Sequence, residues 1–188
     1  MEIRDLLTEL VSCLTDTFAL VDAWFDQPAD LRSYRPVDQG WTVDEVLLHI
    51  GLTNHFLLIL IEKGAIKALN NPQGLDLNAE LTAYQFPRDK LAAIGVLHAF
   101  PWMRPEHMEP RQQLPGPAVR EQLRQQLAQA LACLQRLSRG EGLLYYTTMS
   151  VNGLGKLNVY EYVYFLAQHA RRHFTQMAEN TREFAESS

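Results

Sequence analysis

Two histidines near the end of the chain have the spacing of a pair of metal ligands. His169 and His173, in the run HARRH, lie four residues apart, so on a helix their side chains share one face, and Arg171 and Arg172 between them are expected to point away toward water. Neutral imidazole is a good ligand for zinc, nickel, iron and copper. The same spacing is equally compatible with two partly buried histidines that bind nothing, or with a chance pair on a surface.

His49 adds a third candidate ligand from a different part of the chain. It lies on the apolar side of a predicted helix, where a polar group needs a partner to offset its lost hydration. The sequence therefore predicts that His49, His169 and His173 bind one divalent transition metal, with zinc, nickel, iron or manganese left open. Glu45 could orient His49 from four residues upstream, although a role in capping the helix explains this glutamate more simply.

The remaining histidines and several familiar metal motifs are less informative. HARRH lacks the glutamate that serves as general base in the zinc-metalloprotease helix, and the paired Glu-x-x-His of di-iron bundles is absent. His55 lies well round the helix from His49. His98 and His107 fall in a proline-rich segment, where either could approach the site as part of a lid or have no role in it.

Four segments show the apolar spacing of amphipathic helices. The first runs from Ile3 to near Phe25, the second from Thr42 to near Gly64, the third from Pro117 to Gly140, and the fourth follows Asn158. Thr42 with Glu45, and Asn158 with Glu161, have the spacing of capping boxes. These two caps fix where the histidine-bearing helices begin.

The predicted fold is all-α: an up-and-down four-helix bundle, with a long, partly helical crossover between helices 2 and 3 and a single domain over residues 1–188. The crossover is expected to hold one or two short helices, one of them within residues 88–100. The tract LLYYTTMSV is not assigned as a strand, because a lone strand has nothing to pair with. Helices 2 and 4 run parallel in such a bundle, so their starts would need a stagger of about two turns for the histidines to meet.

Composition limits the possible partners. A formal net charge of -5 argues against binding to nucleic acid or to an anionic membrane, since both require a concentrated basic surface. The apolar run from Leu47 to Ile61 is interrupted by polar residues and too short to span a bilayer. No signal peptide is recognisable, and Cys13 and Cys133 stand singly. These features lead us to expect a reduced, cytoplasmic compartment.

Two stretches together resemble one known family. WTVDEVLLH and the later GKLNVYEYVYFLAQHARRHFTQM resemble the DinB-like family of helix-bundle metalloproteins. The positions that carry the likeness are Trp41, His49, His169, Arg172, His173 and Gln176. The resemblance implies an up-and-down four-helix bundle and a metal held by three histidines, with water or substrate completing its coordination. It also implies a possible homodimer and, in some relatives, transfer or isomerisation reactions that use small thiols.

Three functional hypotheses follow. The first is a metal-dependent enzyme that acts on a small electrophilic substrate by hydrolysis or thiol transfer, with Tyr84, Phe86 and Trp102 as candidate pocket walls or as ordinary packing residues. The second is a non-catalytic bundle that binds or senses a metal or small molecule. The third is a structural helical protein whose histidines are satisfied by hydrogen bonds.

Overall fold

Helices make up most of the molecule. The computed structural model describes residues 2–100, 106–111, 114–149 and 151–187. Within these ranges the α-helices are α1 (Ile3–Ala23), α2 (Ala29–Ser33), α3 (Val43–Asn70), α4 (Leu77–Ala83), α5 (Arg88–Ala92), α6 (Gly116–Arg136) and α7 (Val159–Ser187). The 3-10 turns are Trp24–Asp26, Ala93–Gly95, Glu106–Met108, Glu141–Leu144 and Val151–Gly153. The mostly helical fold confirms the predicted class.

A small hairpin precedes α7, so the expectation that this region forms no strand is wrong. β1 (Tyr146–Met149) pairs antiparallel with β2 (Gly155–Asn158), and Tyr146 lies opposite Asn158. The partner strand, β2, lies in the short connection between the tract LLYYTTMSV and the last helix. Gly155 adopts a positive φ of 80°, which glycine tolerates readily, at the point where the chain turns back into β2.

The predicted capping boxes are confirmed at both histidine-bearing helices. The Glu45 amide donates to Thr42 Oγ1 at 3.1 Å, and the Thr42 amide donates to Glu45 Oε2 at 2.9 Å. Asn158 and Glu161 exchange the same two hydrogen bonds at 3.1 and 3.0 Å. Helix α3 continues to Asn70 rather than stopping near Gly64, because Ala65 and Ala68 remain buried beyond that glycine.

Helices α3 and α7 run antiparallel, so the expectation that helices 2 and 4 are parallel is wrong. Asn180, late in α7, donates from Nδ2 to the Trp41 carbonyl just before α3, at 2.8 Å. At the other end, a Cβ on Gly64 would lie 3.2 Å from Cγ2 of Val159, the first residue of α7. These two contacts pair the end of one helix with the start of the other.

The long crossover explains this reversal. It returns the chain to the starting end of α3, so α6 runs parallel to α3: Gln126 Nε2 donates to the Gly51 carbonyl, and Arg136 pairs with Glu62 further along both helices. Helix α1 runs parallel to α7, since Gln168 contacts Cys13 and Arg171 contacts Thr17. The long helices therefore run up, down, down and up in chain order.

The crossover packs over α7. As predicted, it contains short helices, α4 and α5, although α5 ends at Ala92 and continues only as the 3-10 turn Ala93–Gly95. Leu91 and Ile94 of this stretch are fully buried. Gly95 approaches α7 so closely that a Cβ there would lie 2.5 Å from Gln168 Oε1. The crossover thus covers the part of α7 that carries the histidines.

By length and composition α3 could cross a membrane. It has 28 residues with a mean hydropathy of 1.4 in its most apolar stretch, longer than the interrupted run considered from the sequence. However, 61% of that stretch is buried inside the protein, as in the core helix of a bundle. Burial against α6 and α7 explains the apolar composition without a bilayer.

An arginine pair on α6 joins it to α1 and provides a first testable prediction. Arg120 and Arg124 both donate to the Asp22 carboxylate, and these hydrogen bonds hold the pKa of Asp22 well below its usual value. Asp22→Asn should lower the free energy of unfolding by about 1 kcal/mol at pH 7, measured by urea denaturation. A carboxyl with a lowered folded-state pKa loses its contribution as pH falls, so the deficit should shrink below about pH 4. An equal deficit at pH 7 and pH 3 would contradict this assignment.

Candidate metal centre

The three predicted histidines meet inside the bundle. His49, His169 and His173 are all buried, and their candidate ligand atoms lie within 4.8 Å of one another. The Nε2 atoms of His169 and His173 are 3.4 Å apart. The His49 ring lies 5.2 Å from the His169 ring and 4.9 Å from the His173 ring, centroid to centroid.

The antiparallel packing of α3 and α7 removes the predicted two-turn stagger. His49 lies seven residues after the cap at Thr42, and His173 lies seven residues before Asn180. Asn180 contacts the chain next to that cap, at Trp41. Measured from this shared end, each histidine is about 10 Å along its helix. His49 and His173 are therefore level with each other, and His169 lies one turn further on.

Hydrogen bonds on the far side of two rings orient the histidines. His49 Nδ1 lies 2.7 Å from the Met108 carbonyl oxygen, and His173 Nδ1 lies 3.0 Å from Gln176 Oε1. Both oxygens only accept, so each Nδ1 carries the proton and donates it. The lone pair of each ring is then on Nε2. A carbonyl or carboxylate partner on the second ring nitrogen is the usual arrangement for a metal-binding histidine.

The electrostatics of the cluster favour uncharged imidazoles. Burial lowers the pKa of His169 well below its usual value, and the neighbouring His173, His49 and Arg172 lower it further. A histidine must be neutral to bind a metal. The site therefore holds its central histidine in the state that ligation requires.

The donor set fits a transition metal. Among the residues that the structure describes, the group consists of three imidazoles, with no carboxylate or thiol in it. Both cysteines, Cys13 and Cys133, are buried free thiols outside this group. Imidazole donors suit zinc, nickel, iron and copper rather than magnesium or calcium.

Aromatic and cationic groups surround the cluster. The Trp41 ring lies 4.8 Å from the His49 ring. Arg172 was expected to point to water, but it is buried: its Nη1 donates to the Val96 carbonyl at 2.6 Å and its guanidinium lies 5.9 Å from the Phe100 ring centroid. Arg171 likewise turns inward to Thr17. Because the Val96 carbonyl of the crossover accepts this hydrogen bond, Arg172 can be buried next to the histidines.

The other histidines and Glu45 lie outside the cluster. His55 is exposed beside Phe56, and His98 is exposed with a positive φ of 63°. His107 is exposed and packs on Phe56 with ring centroids 4.4 Å apart, although its neighbour Met108 supplies the carbonyl that orients His49. Glu45 forms the capping box and pairs with Arg35, consistent with the simpler of its two predicted roles.

Two of the three candidate pocket residues pack elsewhere. Tyr84 donates its hydroxyl to Glu161 Oε1, and Phe86 packs on Tyr164 with ring centroids 5.2 Å apart. Both partners lie on α7 before the histidines, about 12 and 8 Å along the helix from His169. Trp102 lies outside the described residues.

Gln176 supplies a prediction about orientation. Gln176→Leu removes the acceptor for His173 Nδ1–H, and metal affinity should fall about 10- to 100-fold, as is typical when such an outer partner is lost. Competition with a chromophoric chelator measures this affinity. Gln176→Glu restores an acceptor and should bind metal within about threefold of wild type. Equal affinity in wild type and Gln176→Leu would show that this bond does not orient the ligand.

Comparison with known proteins gives a match at the level of a family. No curated protein and no solved structure matches the chain significantly. A family model described as the DinB superfamily matches residues 2–177, which include all three histidines and every long helix of the bundle at least in part. Because this match covers nearly the whole sequence, the chain belongs to the DinB superfamily.

Proposed function

We propose that the protein binds one divalent transition metal through His49, His169 and His173 and is a metal-dependent enzyme acting on a small electrophilic substrate. The reaction class is hydrolysis or thiol-dependent transfer. The observation that carries this proposal is the buried cluster of three imidazoles, whose ligand atoms lie within 4.8 Å of one another.

The number of ligands favours chemistry over a structural role. Structural zinc sites are closed by four protein ligands, whereas catalytic sites use three and leave one position open. A divalent ion bound by three neutral imidazoles keeps its full charge and lowers the pKa of water or of a thiol. The protein's own contribution is to fix the imidazoles through Met108 and Gln176, and to exclude bulk water with the crossover.

A second candidate function rests on the burial of the site. His49, His169 and His173 are only 5%, 3% and 7% exposed, and the crossover packs over α7 beside them. Such enclosure favours slow exchange of whatever is bound. A non-catalytic bundle that stores or senses a metal or small molecule would have this property.

Metal analysis combined with an activity panel tests the proposal. The protein is purified without a His-tag, and its metal is measured by mass spectrometry. It is then loaded separately with Zn²⁺, Ni²⁺, Fe²⁺ or Mn²⁺ and assayed with activated esters, amides and alkyl halides, with and without a small thiol. We expect about one metal per chain and turnover that chelation abolishes.

Two outcomes would count against the enzyme. A protein that purifies without metal and binds none on loading would contradict the metal site itself. One tightly bound metal with no turnover of any substrate class would favour the storage or sensing function instead. His55→Ala provides the matched control, since it removes an exposed histidine from α3 outside the cluster.

A further inference from the structure

Helix register places Thr53 beside the histidine cluster. On α3 it follows His49 by four residues, the same spacing that separates His169 from His173 on α7. Because α3 and α7 are antiparallel, with His49 level with His173, one further turn brings Thr53 level with His169. Helix register thus pairs His49 with His173 and Thr53 with His169, which brings three imidazoles and one hydroxyl to neighbouring positions on the two helices.

The face of α3 on which Thr53 lies is the one that packs against α7. Gly64 meets Val159 of α7, and it lies eleven residues, about three full turns, after Thr53. Helical side chains lean toward the N-terminus of their own helix. Thr53 therefore leans toward the turn of His49, and His173 leans toward the level of Thr53.

The Thr53 hydroxyl is buried without a protein partner. The side chain is 4% exposed, and Oγ1 forms no hydrogen bond with any residue that the structure describes. Four other helical threonines instead donate to the carbonyl four residues before them: Thr8, Thr15, Thr82 and Thr181. A buried hydroxyl without a hydrogen bond costs about 1–3 kcal/mol, and a ligand bound at this position would remove that cost.

We propose that Thr53 is a positioning residue that hydrogen-bonds the small oxygen ligand completing the coordination of the metal. This inference rests on the proposed metal site. A hydroxyl can both donate and accept, so it can hold a water molecule, a carboxylate or a substrate carbonyl. A neutral alcohol is not among the usual protein ligands of these metals, so Thr53 acts on the fourth ligand rather than on the ion.

The test uses Co²⁺-loaded protein, whose visible absorption changes when a fourth ligand exchanges. Acetate is titrated into wild type, Thr53→Val and Thr53→Ser. Valine keeps the shape and removes the hydroxyl, while serine keeps the hydroxyl. We expect Thr53→Val to weaken acetate binding about tenfold or more, and Thr53→Ser to stay within about threefold of wild type, since a hydrogen bond to a charged group is lost only in the first.

Two further readouts separate this role from a structural one. Metal-free Thr53→Val should be at least as stable to urea as wild type, because the hydroxyl it loses has no partner among the described residues. Its Co²⁺ affinity should also be unchanged, because the three imidazoles remain.

The possible failures are distinguishable. Normal Co²⁺ binding with unchanged acetate affinity in Thr53→Val would overturn the role of Thr53 and leave the metal site standing. A tenfold or greater loss of Co²⁺ affinity in Thr53→Val would make the hydroxyl a ligand and contradict an open fourth position. Failure of wild type to bind Co²⁺ would overturn the metal site and this inference together.

Discussion

His169→Ala should retain less than about a tenth of the metal bound by the wild-type protein after desalting. Removing an outer partner of a ligand typically costs 10- to 100-fold in affinity, and removing one of three ligands costs more. His169 is the most enclosed of the three, at 3% exposure, and its Nε2 lies 3.4 Å from that of His173. Metal per chain, measured by mass spectrometry, gives the result directly.

Two controls make this loss specific. His55→Ala, on the exposed side of α3, should keep the full metal content. Far-ultraviolet circular dichroism should show that His169→Ala keeps its helices, since an enlarged space in the core can cost about 2–5 kcal/mol without changing the fold. A folded His169→Ala protein with near-stoichiometric metal would overturn the three-histidine site.

The sequence was informative wherever the signal was local. The caps at Thr42 and Asn158 depend on residues three apart, and both formed as predicted. The histidine pair on α7 follows from helical periodicity alone. His49 could be added because a histidine on an apolar face needs a partner. All these inferences use spacing within one helix, which the chain carries explicitly.

The directions of the helices could not be obtained in the same way. A crossover of more than forty residues can return the chain to either end of the bundle, and its composition does not say which. The predicted up-and-down arrangement made α7 parallel to α3, which is wrong. It therefore required a two-turn stagger between the two helix starts that the antiparallel packing removes. The contact of Asn180 with Trp41, which resolves this, joins positions 139 residues apart.

Some parts of the site carry no side-chain signal at all. The group that orients His49 is the backbone carbonyl of Met108, which any residue would provide, so its position depends on the path of the crossover. Arg172 appeared to face water because its position was judged against the bundle alone. The crossover at Val96 covers it and accepts its hydrogen bond. The position of Thr53 relative to the histidines likewise depends on the register of α3 against α7, which the sequence does not contain.

Chelation of the metal should lower the melting temperature by about 8–16 °C at pH 7.5. A ligand present at a thousand times its dissociation constant stabilises the native state by about 4 kcal/mol. For a chain of this size each kcal/mol corresponds to about 2–4 °C. Differential scanning calorimetry with and without chelator measures the shift, and His169→Ala should show none.

The chelator effect should shrink as the pH is lowered to 5.5. The pKa of His169 in the folded protein lies well below its usual value because of burial and the adjacent imidazoles, while the unfolded chain titrates near 6.5. Below about pH 6.5 the unfolded state therefore binds more protons, so the metal-free protein loses stability as pH falls. Protons also compete with the metal for the ring nitrogens, so less of the bound state remains to be removed. An equal chelator shift at pH 7.5 and pH 5.5, or a shift retained in His169→Ala, would mean that the metal is held by groups other than these histidines.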